Sequence, residues 1–475
     1  MKTRIVSLVL AIVMVMASLF TFAACKPSQQ AGDVTEFNFD TETPVTITFY
    51  HTMGEALRTV LDKYIVEFNK LYPNITVEHK QVGGYDDVRE QIKTEITVGD
   101  QPNIAYCYPD HVALYNVAQA VQTLDDLIAS TETVTRADGT TEQLGLTQAQ
   151  IDNSIDGYYN EGKQFGDGKM YTLPMSKSTE VLYYNADFFA QHNLSGPTTW
   201  DELEAVCAKI KEIDPNSIPL GYDSESNWFI TMCEQYNSPY TSATEVDGTN
   251  FLFNNETNWK FVERFASWYG DDLVTTKELL GGYTSNEFIK AEGELGKSYM
   301  SIGSSAGATH QAPAAVNGEY PFEVGIAPIP QVDNNNRKVI SQGPSVCIFQ
   351  QENEQEVYAS WLFVKYLTTD IVFQASFSEA SGYVPVIKTV NEDPLYQEFL
   401  SEADGYKTGI AALSAKACLE QADAYYVSPA FKGSSKARDE VGLLMQACFT
   451  DYKTATDKMA MIKEKFAAAI EECEY

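Results

Sequence analysis

The side chains best suited to holding a metal are the chain's five histidines and eight cysteines. Their spacing points away from one. His51, His79, His111, His192 and His310 form no His-x-x-x-His pair, and none stands with cysteine in a zinc-type pattern. The loop Gly166-Asp167-Gly168-Lys169 has the look of a phosphate cradle. A Walker A loop needs Ser or Thr after its lysine, and Met170 follows here. Gly-x-Ser-x-Gly and Ser-x-x-Lys are the motifs in which to seek a nucleophile, and neither yields a serine with a recognisable base and orienting acid. With 66 acidic residues, no carboxylate pair can be singled out. No catalytic residue, metal or cofactor is therefore assigned.

A different chemistry is carried by aromatic and hydroxyl residues at the expected ends of elements. These are Tyr85, Ser178, Trp228, Ser304 with Ser305, Gly343, Tyr383 and Arg438. Ligands of α/β sheets bind beyond the carboxyl ends of strands. Hydroxyls there can hydrogen-bond a polyol or a phosphate. Serines before a helix add the positive end of its dipole, which favours an anion. An aromatic face suits the apolar face of a sugar. Taken one at a time, each residue is better explained by core packing or by a helix cap; together they outline a binding site.

Those residues need a scaffold, and periodicity supplies one. Val45, Ile47 and Phe49 alternate with polar residues, as in a strand. Leu57, Val60, Leu61, Tyr64, Phe68 and Leu71 recur at helical spacing until Pro73-Asn74. Ile75 and Val77 predict a second strand, Val88, Ile92 and Ile96 a second helix ending at Gly99, and Ile104–Tyr108 a third strand. Strand-helix-strand-helix-strand implies crossover units on a mainly parallel sheet. Residues 130–150 read as an exposed polar loop. Thr199-Trp200-Asp201-Glu202 is a capping box opening a helix to about Asp214. Further helices are expected near Phe261–Tyr269, Glu356–Leu367 and Lys458–Cys473. Strands are expected at Ser298–Ile302, Val324–Pro328 and Ser345–Phe349. The fold class is α/β throughout.

Several of these stretches occur in the order of a known family. They are Phe49-Tyr50-His51-Thr52-Met53-Gly54, Tyr72-Pro73-Asn74-Ile75, Gly99-Asp100-Gln101-Pro102-Asn103-Ile104, the run from Leu173-Pro174 through Ser178 to Asn185, Gly325 to Pro330 and Ser381 to Pro385. The chain resembles the family 1 extracellular solute-binding proteins of ABC importers, and within them the glycerol-3-phosphate-binding group. The resemblance implies a two-lobed, periplasmic-binding-protein-like (type II) fold with a hinge and a central cleft. The expected lobes are residues 45–170 with 323–346, and 171–322 with 347–475. It also implies that Tyr85, Ser178, Trp228, Ser304 or Ser305, Gly343 and Tyr383 contact ligand. The group's acidic residue after the third strand has its counterpart in Asp110, because Pro109 occupies the first position. Its C-terminal arginine is matched by Arg438. The implied solute is a sugar, polyol or glycerol phosphate delivered to ABC permease subunits, with a neutral sugar or oligosaccharide next to sn-glycerol 3-phosphate. From another class, a secreted carbohydrate-active hydrolase is the alternative. It needs two carboxylates facing one another across the cleft.

Charge and the N-terminal segment bound the setting. The net charge is −33, which argues against nucleic acid and against an anionic membrane surface as partners. Lys2 and Arg4, the uncharged run from Ile5 to Phe20 and the small residues before Cys25 make an export signal. Ala23-Ala24-Cys25 resembles the lipobox of bacterial lipoproteins. Residues 1–24 are thus expected to be a lipoprotein signal peptide and 25–44 a lipid anchor and flexible tether. The chain is then exported as a monomer and held at the outer face of the cell membrane by its lipid alone. The seven remaining cysteines are odd in number and widely spaced, so a disulfide framework is not expected. Cys25→Ala is expected to release the protein or leave it unprocessed; fractionation and gel migration identical to wild type would refute lipidation.

Overall fold

The computed structural model describes residues 38–474, so Cys25, the signal segment and most of the tether lie outside the described residues. The first lobe is built on a five-stranded sheet in the order Ile75–Gln81, Val45–His51, Ile104–Cys107, Ser345–Ile348, Leu173–Pro174. The first three are parallel, as the crossover pattern requires, and Ser345–Ile348 runs antiparallel to Ile104–Cys107. All four residues of Ile104–Cys107 are buried, as befits a central strand covered on both faces. Helix Glu55–Leu71 buries Leu61, Tyr64 and Phe68, one stripe of its surface. Phe68 and Phe49 meet Phe363 of helix Glu354–Thr369 with ring centroids 5.1 and 6.4 Å apart.

The second lobe carries a seven-stranded sheet. Its order is Val274–Thr276, Leu220–Tyr222, Met300–Ser304, Ser178–Asn185, Val339–Gln342, Tyr425–Tyr426, with Val324–Pro328 also paired to Ser178–Asn185. Helix Trp200–Ile213 opens with the expected capping box: Thr199 Oγ1 accepts from the Glu202 amide at 3.2 Å. The seven cysteines among the described residues are all buried and unpaired.

The lobe boundaries need correction. Residues 323–346 were expected in the first lobe. Val324–Pro328 and Val339–Gln342 instead pair with Ser178–Asn185 in the second sheet. Helices Glu354–Thr369 and Ile371–Glu379, expected in the second lobe, pack in the core of the first. Residues 130–150 are also more than a loop. Thr133–Thr135 pairs with Thr141–Gln143 around Gly139, and buried Val134 anchors the hairpin.

The chain passes between the sheets at 175–177 and again at 343–344. A third crossing lies near Val384, whose amide donates to the Lys177 carbonyl at 2.7 Å. Gly343 sits at φ 94°, and a Cβ there would lie 2.7 Å from the Lys177 Cα, so only glycine fits this turn. The crossings are tied by a buried cation. Lys177 Nζ donates to Glu161 Oε2 at 2.6 Å, Ser345 Oγ at 3.1 Å and the Gly343 carbonyl at 3.4 Å. Neither charged side chain is more than 3% exposed. Breaking such a pair leaves a buried charge uncompensated and costs about 3–5 kcal/mol. Glu161→Gln is expected to lose stability on that scale in urea denaturation, and Glu161→Leu with Lys177→Met to recover much of it.

Candidate functional site

A cleft, partly open to solvent, lies between the lobes where the strands end. Its lining includes Tyr108, Asp110, Tyr240, Ser341, Gln342 and Arg438. Tyr108 and Asp110 follow the strand Ile104–Cys107, and Pro109 is the first residue of helix Pro109–Tyr115. Proline suits that position because the amide there has no helical partner. Ser341 and Gln342 close the strand Val339–Gln342. Arg438 stands in the second turn of helix Ser434–Tyr452, after Gly433 at φ 101°.

Arg438 is the centre of the polar lining. Its Nη1 donates to Asn227 Oδ1 at 2.6 Å, and its Nε lies 3.9 Å from Asp110 Oδ2 across the cleft. Asn227 and Gln342 exchange amide hydrogen bonds of 2.9 and 3.0 Å. The same Asn227 amide donates to Glu180 Oε1 at 3.1 Å, while Tyr222 donates to Glu180 Oε2 at 2.6 Å. Burial pushes the Glu180 carboxyl up to about 7, against the pull of these donors and of Arg438. The Tyr240 hydroxyl and Ser341 Oγ are buried without a hydrogen-bond partner. An unpartnered buried polar atom is costly, so both are positioned to gain from a polar ligand. At the rim, Arg89 of helix Tyr85–Ile96 donates to Ser435 Oγ at 2.7 Å and lies 3.6 Å from Asp439, joining the lobes directly.

Of the residues expected from sequence, Asp110 and Arg438 line the cleft. Tyr85 stands behind the lining, stacked on Tyr108 at 4.4 Å. Tyr383 lies beside this pair, and its phenol is electrostatically coupled to both. The others are placed differently. Ser178 is buried in the sheet opposite Gln342. Gly343 is the turn glycine of the crossing. Ser304 Oγ accepts from the Ala306 amide at 3.3 Å as a helix cap. Ser305 is fully buried, and its Oγ accepts from the Thr179 amide at 3.2 Å.

Trp228 corrects the expectation most clearly. It is fully buried, with its ring 4.6 Å from Tyr222 and 4.4 Å from Phe265. It belongs to the apolar core of the second lobe. One residue along a helix turns the side chain by about 100°, so its neighbour Asn227 points instead to Arg438 and Gln342 of the cleft lining. Asn227, Tyr240, Gln342 and Glu180 were missed. Glu180 did carry a signal: it is a lone acid inside the run Val181-Leu182-Tyr183 and its polar lead-in.

The profile described as "Bacterial extracellular solute-binding protein" matches residues 63–400. The chain belongs to that family. Among relatives of this solute-binding protein, a putative binding protein of Brucella abortus is 26% identical over 280 residues, 55% of this chain and 64% of the relative. The match thus spans less than two thirds of that relative. The sn-glycerol-3-phosphate-binding periplasmic protein of Escherichia coli K12 is 23% identical over 357 residues, 72% of this chain and 74% of the relative. Two solved structures share its two-lobed fold. UgpB of Mycobacterium tuberculosis, in complex with glycerophosphocholine, gives a TM-score of 0.68 at 15% identity, covering 90% of this chain and 98% of the other. A Listeria monocytogenes substrate-binding protein in complex with cycloalternan gives 0.68 at 16%, covering 91% and 100%. At these identities the likeness is one of fold. Trp228→Ala in this solute-binding protein is expected to cost about 3–5 kcal/mol in thermal denaturation. Affinity of the remaining folded protein should stay near wild type; a selective loss of affinity would return Trp228 to the site.

Proposed function

We propose that this chain is the solute receptor of an ABC importer, taking a carbohydrate-class solute in the cleft and passing it to permease subunits. It acts as a monomer tethered through Cys25, and it performs no chemistry on the solute. The observation that carries the reading is the cleft itself. One guanidinium and two unpartnered hydroxyls of the second lobe face Tyr108 and Asp110 of the first across it. A solute touching both lobes favours their closed arrangement by differential binding. The hinge of this reading is the set of crossings at 175–177, 343–344 and near Val384.

A phosphorylated polyol of the sn-glycerol 3-phosphate type is the leading solute. Arginine suits a phosphate because its fork donates two parallel hydrogen bonds. The net charge of −33 opposes an anion at long range, but the Debye length is about 8 Å at physiological salt, so local donors decide. A neutral oligosaccharide is the second reading. It is favoured by Asp110, which lies 3.9 Å from Arg438 and offsets its charge. The hydrolase alternative has no support. The relatives are binding proteins, and Glu161, the other carboxylate of the cleft, is committed to Lys177 at 2.6 Å.

Calorimetry separates the two solutes. Arg438→Ala is expected to weaken sn-glycerol 3-phosphate binding at least about tenfold, since a hydrogen bond to a charged group is worth about 1.5–3 kcal/mol. Binding of a maltose-type sugar, indifferent to Arg438→Ala, would overturn the phosphate assignment and leave the receptor role standing.

A further inference from the structure

Beneath the cleft lies a carboxylate almost wholly shut off from solvent. Glu180 is 1% exposed. Its two oxygens accept from neutral donors on two different elements, Tyr222 Oη at 2.6 Å and Asn227 Nδ2 at 3.1 Å. The orientation of Asn227 matters because its two amide ends are opposite in character. Gln342 cannot fix it, since it both donates to and accepts from Asn227. Arg438 offers only donors, and an ionised Glu180 offers only acceptors. Between them they hold Oδ1 toward the guanidinium and Nδ2 toward the carboxylate.

We propose that Glu180 is a positioning residue that acts through Asn227 on Arg438, and that capture of an anion in the cleft is linked to proton uptake at Glu180. This rests on the phosphate-type reading of the site. Arg438 and the two hydrogen-bond donors favour the ionised form, Asp223 disfavours it, and burial disfavours it most. Tyr222 and Tyr426 also face it with phenols whose own ionisation burial suppresses. The balance leaves the carboxyl near 7 rather than in the usual carboxylate range. An anion bound at Arg438 adds negative charge and raises Glu180's proton affinity. By linkage, anion affinity then falls as pH rises through about 7. A neutral sugar is not so linked.

The test has two arms. In the ligand-free protein, infrared spectra of wild type minus Glu180→Gln should contain a protonated-carboxyl band that vanishes as pH rises through about 7. Tyr222→Phe removes one hydrogen bond to the ionised form, so it should move that midpoint upward. A band missing above about pH 5, or a midpoint unmoved by Tyr222→Phe, overturns the proposal whatever the solute. In the second arm the probe is glycerophosphoglycerol, because a phosphate monoester itself titrates near pH 6. Its affinity for wild type should fall about fivefold between about pH 6 and about pH 8, and for Glu180→Gln it should be flat. Equal pH profiles in the two proteins overturn the linkage. Binding of maltotriose but not of the phosphodiester overturns it too, through the solute reading, while the infrared midpoint reports separately on Glu180.

Discussion

The Lys177–Glu161 pair is the constraint on which the two-lobed arrangement depends. An ammonium and a carboxylate this deeply buried are tolerated only because they sit 2.6 Å apart and the ammonium also meets Ser345 and the Gly343 carbonyl. Lys177 lies on one passage between the sheets and Gly343 with Ser345 on another, so the strand running into Ser178 and the turn at Gly343 must stay in register. The Lys177 backbone joins the segment at Val384 to them through its own hydrogen bond. Glu161 also borders the cleft, so the same pair that fixes the crossings shapes the floor of the site. In the closure proposed above, one lobe pivots against the other about this knot without opening it.

From that pivot, the chemistry of the cleft follows a short chain of polar contacts. Arg438 arrives from a helix near the C-terminus, Asp110 from the first lobe, and Asn227 from a helix of the second. The chain is strongly acidic as a whole, and its cleft gathers a guanidinium and neutral hydroxyls beside the carboxylates of Asp110 and Glu161. The rim contact of Arg89 with Ser435 adds a lobe-to-lobe bond that no solute has to supply.

Periodicity and capping made much of the scaffold legible. The first three strands, their two helices and the capping box at Thr199 are local signals, each written in adjacent residues. Partner choice between sheets is not local. Val324–Pro328 reads as a strand but carries nothing that says it will lie beside Tyr183 rather than Tyr106. The site was legible where a residue's type demanded a polar setting, as with Asp110 and Arg438. It was misread where an aromatic or hydroxyl fits core and cleft equally well. Trp228 and Asn227 are adjacent, and only the helix rotation tells which faces inward. Ser305 has the look of a ligand contact until its hydroxyl is found accepting from the Thr179 amide.

The burial of every thiol among the described residues has a practical side. Burial raises the pKa of Cys207, Cys233, Cys418 and Cys448, so little reactive thiolate forms at neutral pH. A surface cysteine introduced on each lip of the cleft would accept a maleimide dye while the seven buried sulfurs of the described residues stay silent. With the cysteines of the described residues left in place, this solute-binding protein is a ready scaffold for an optical sensor whose signal tracks the distance between its lips.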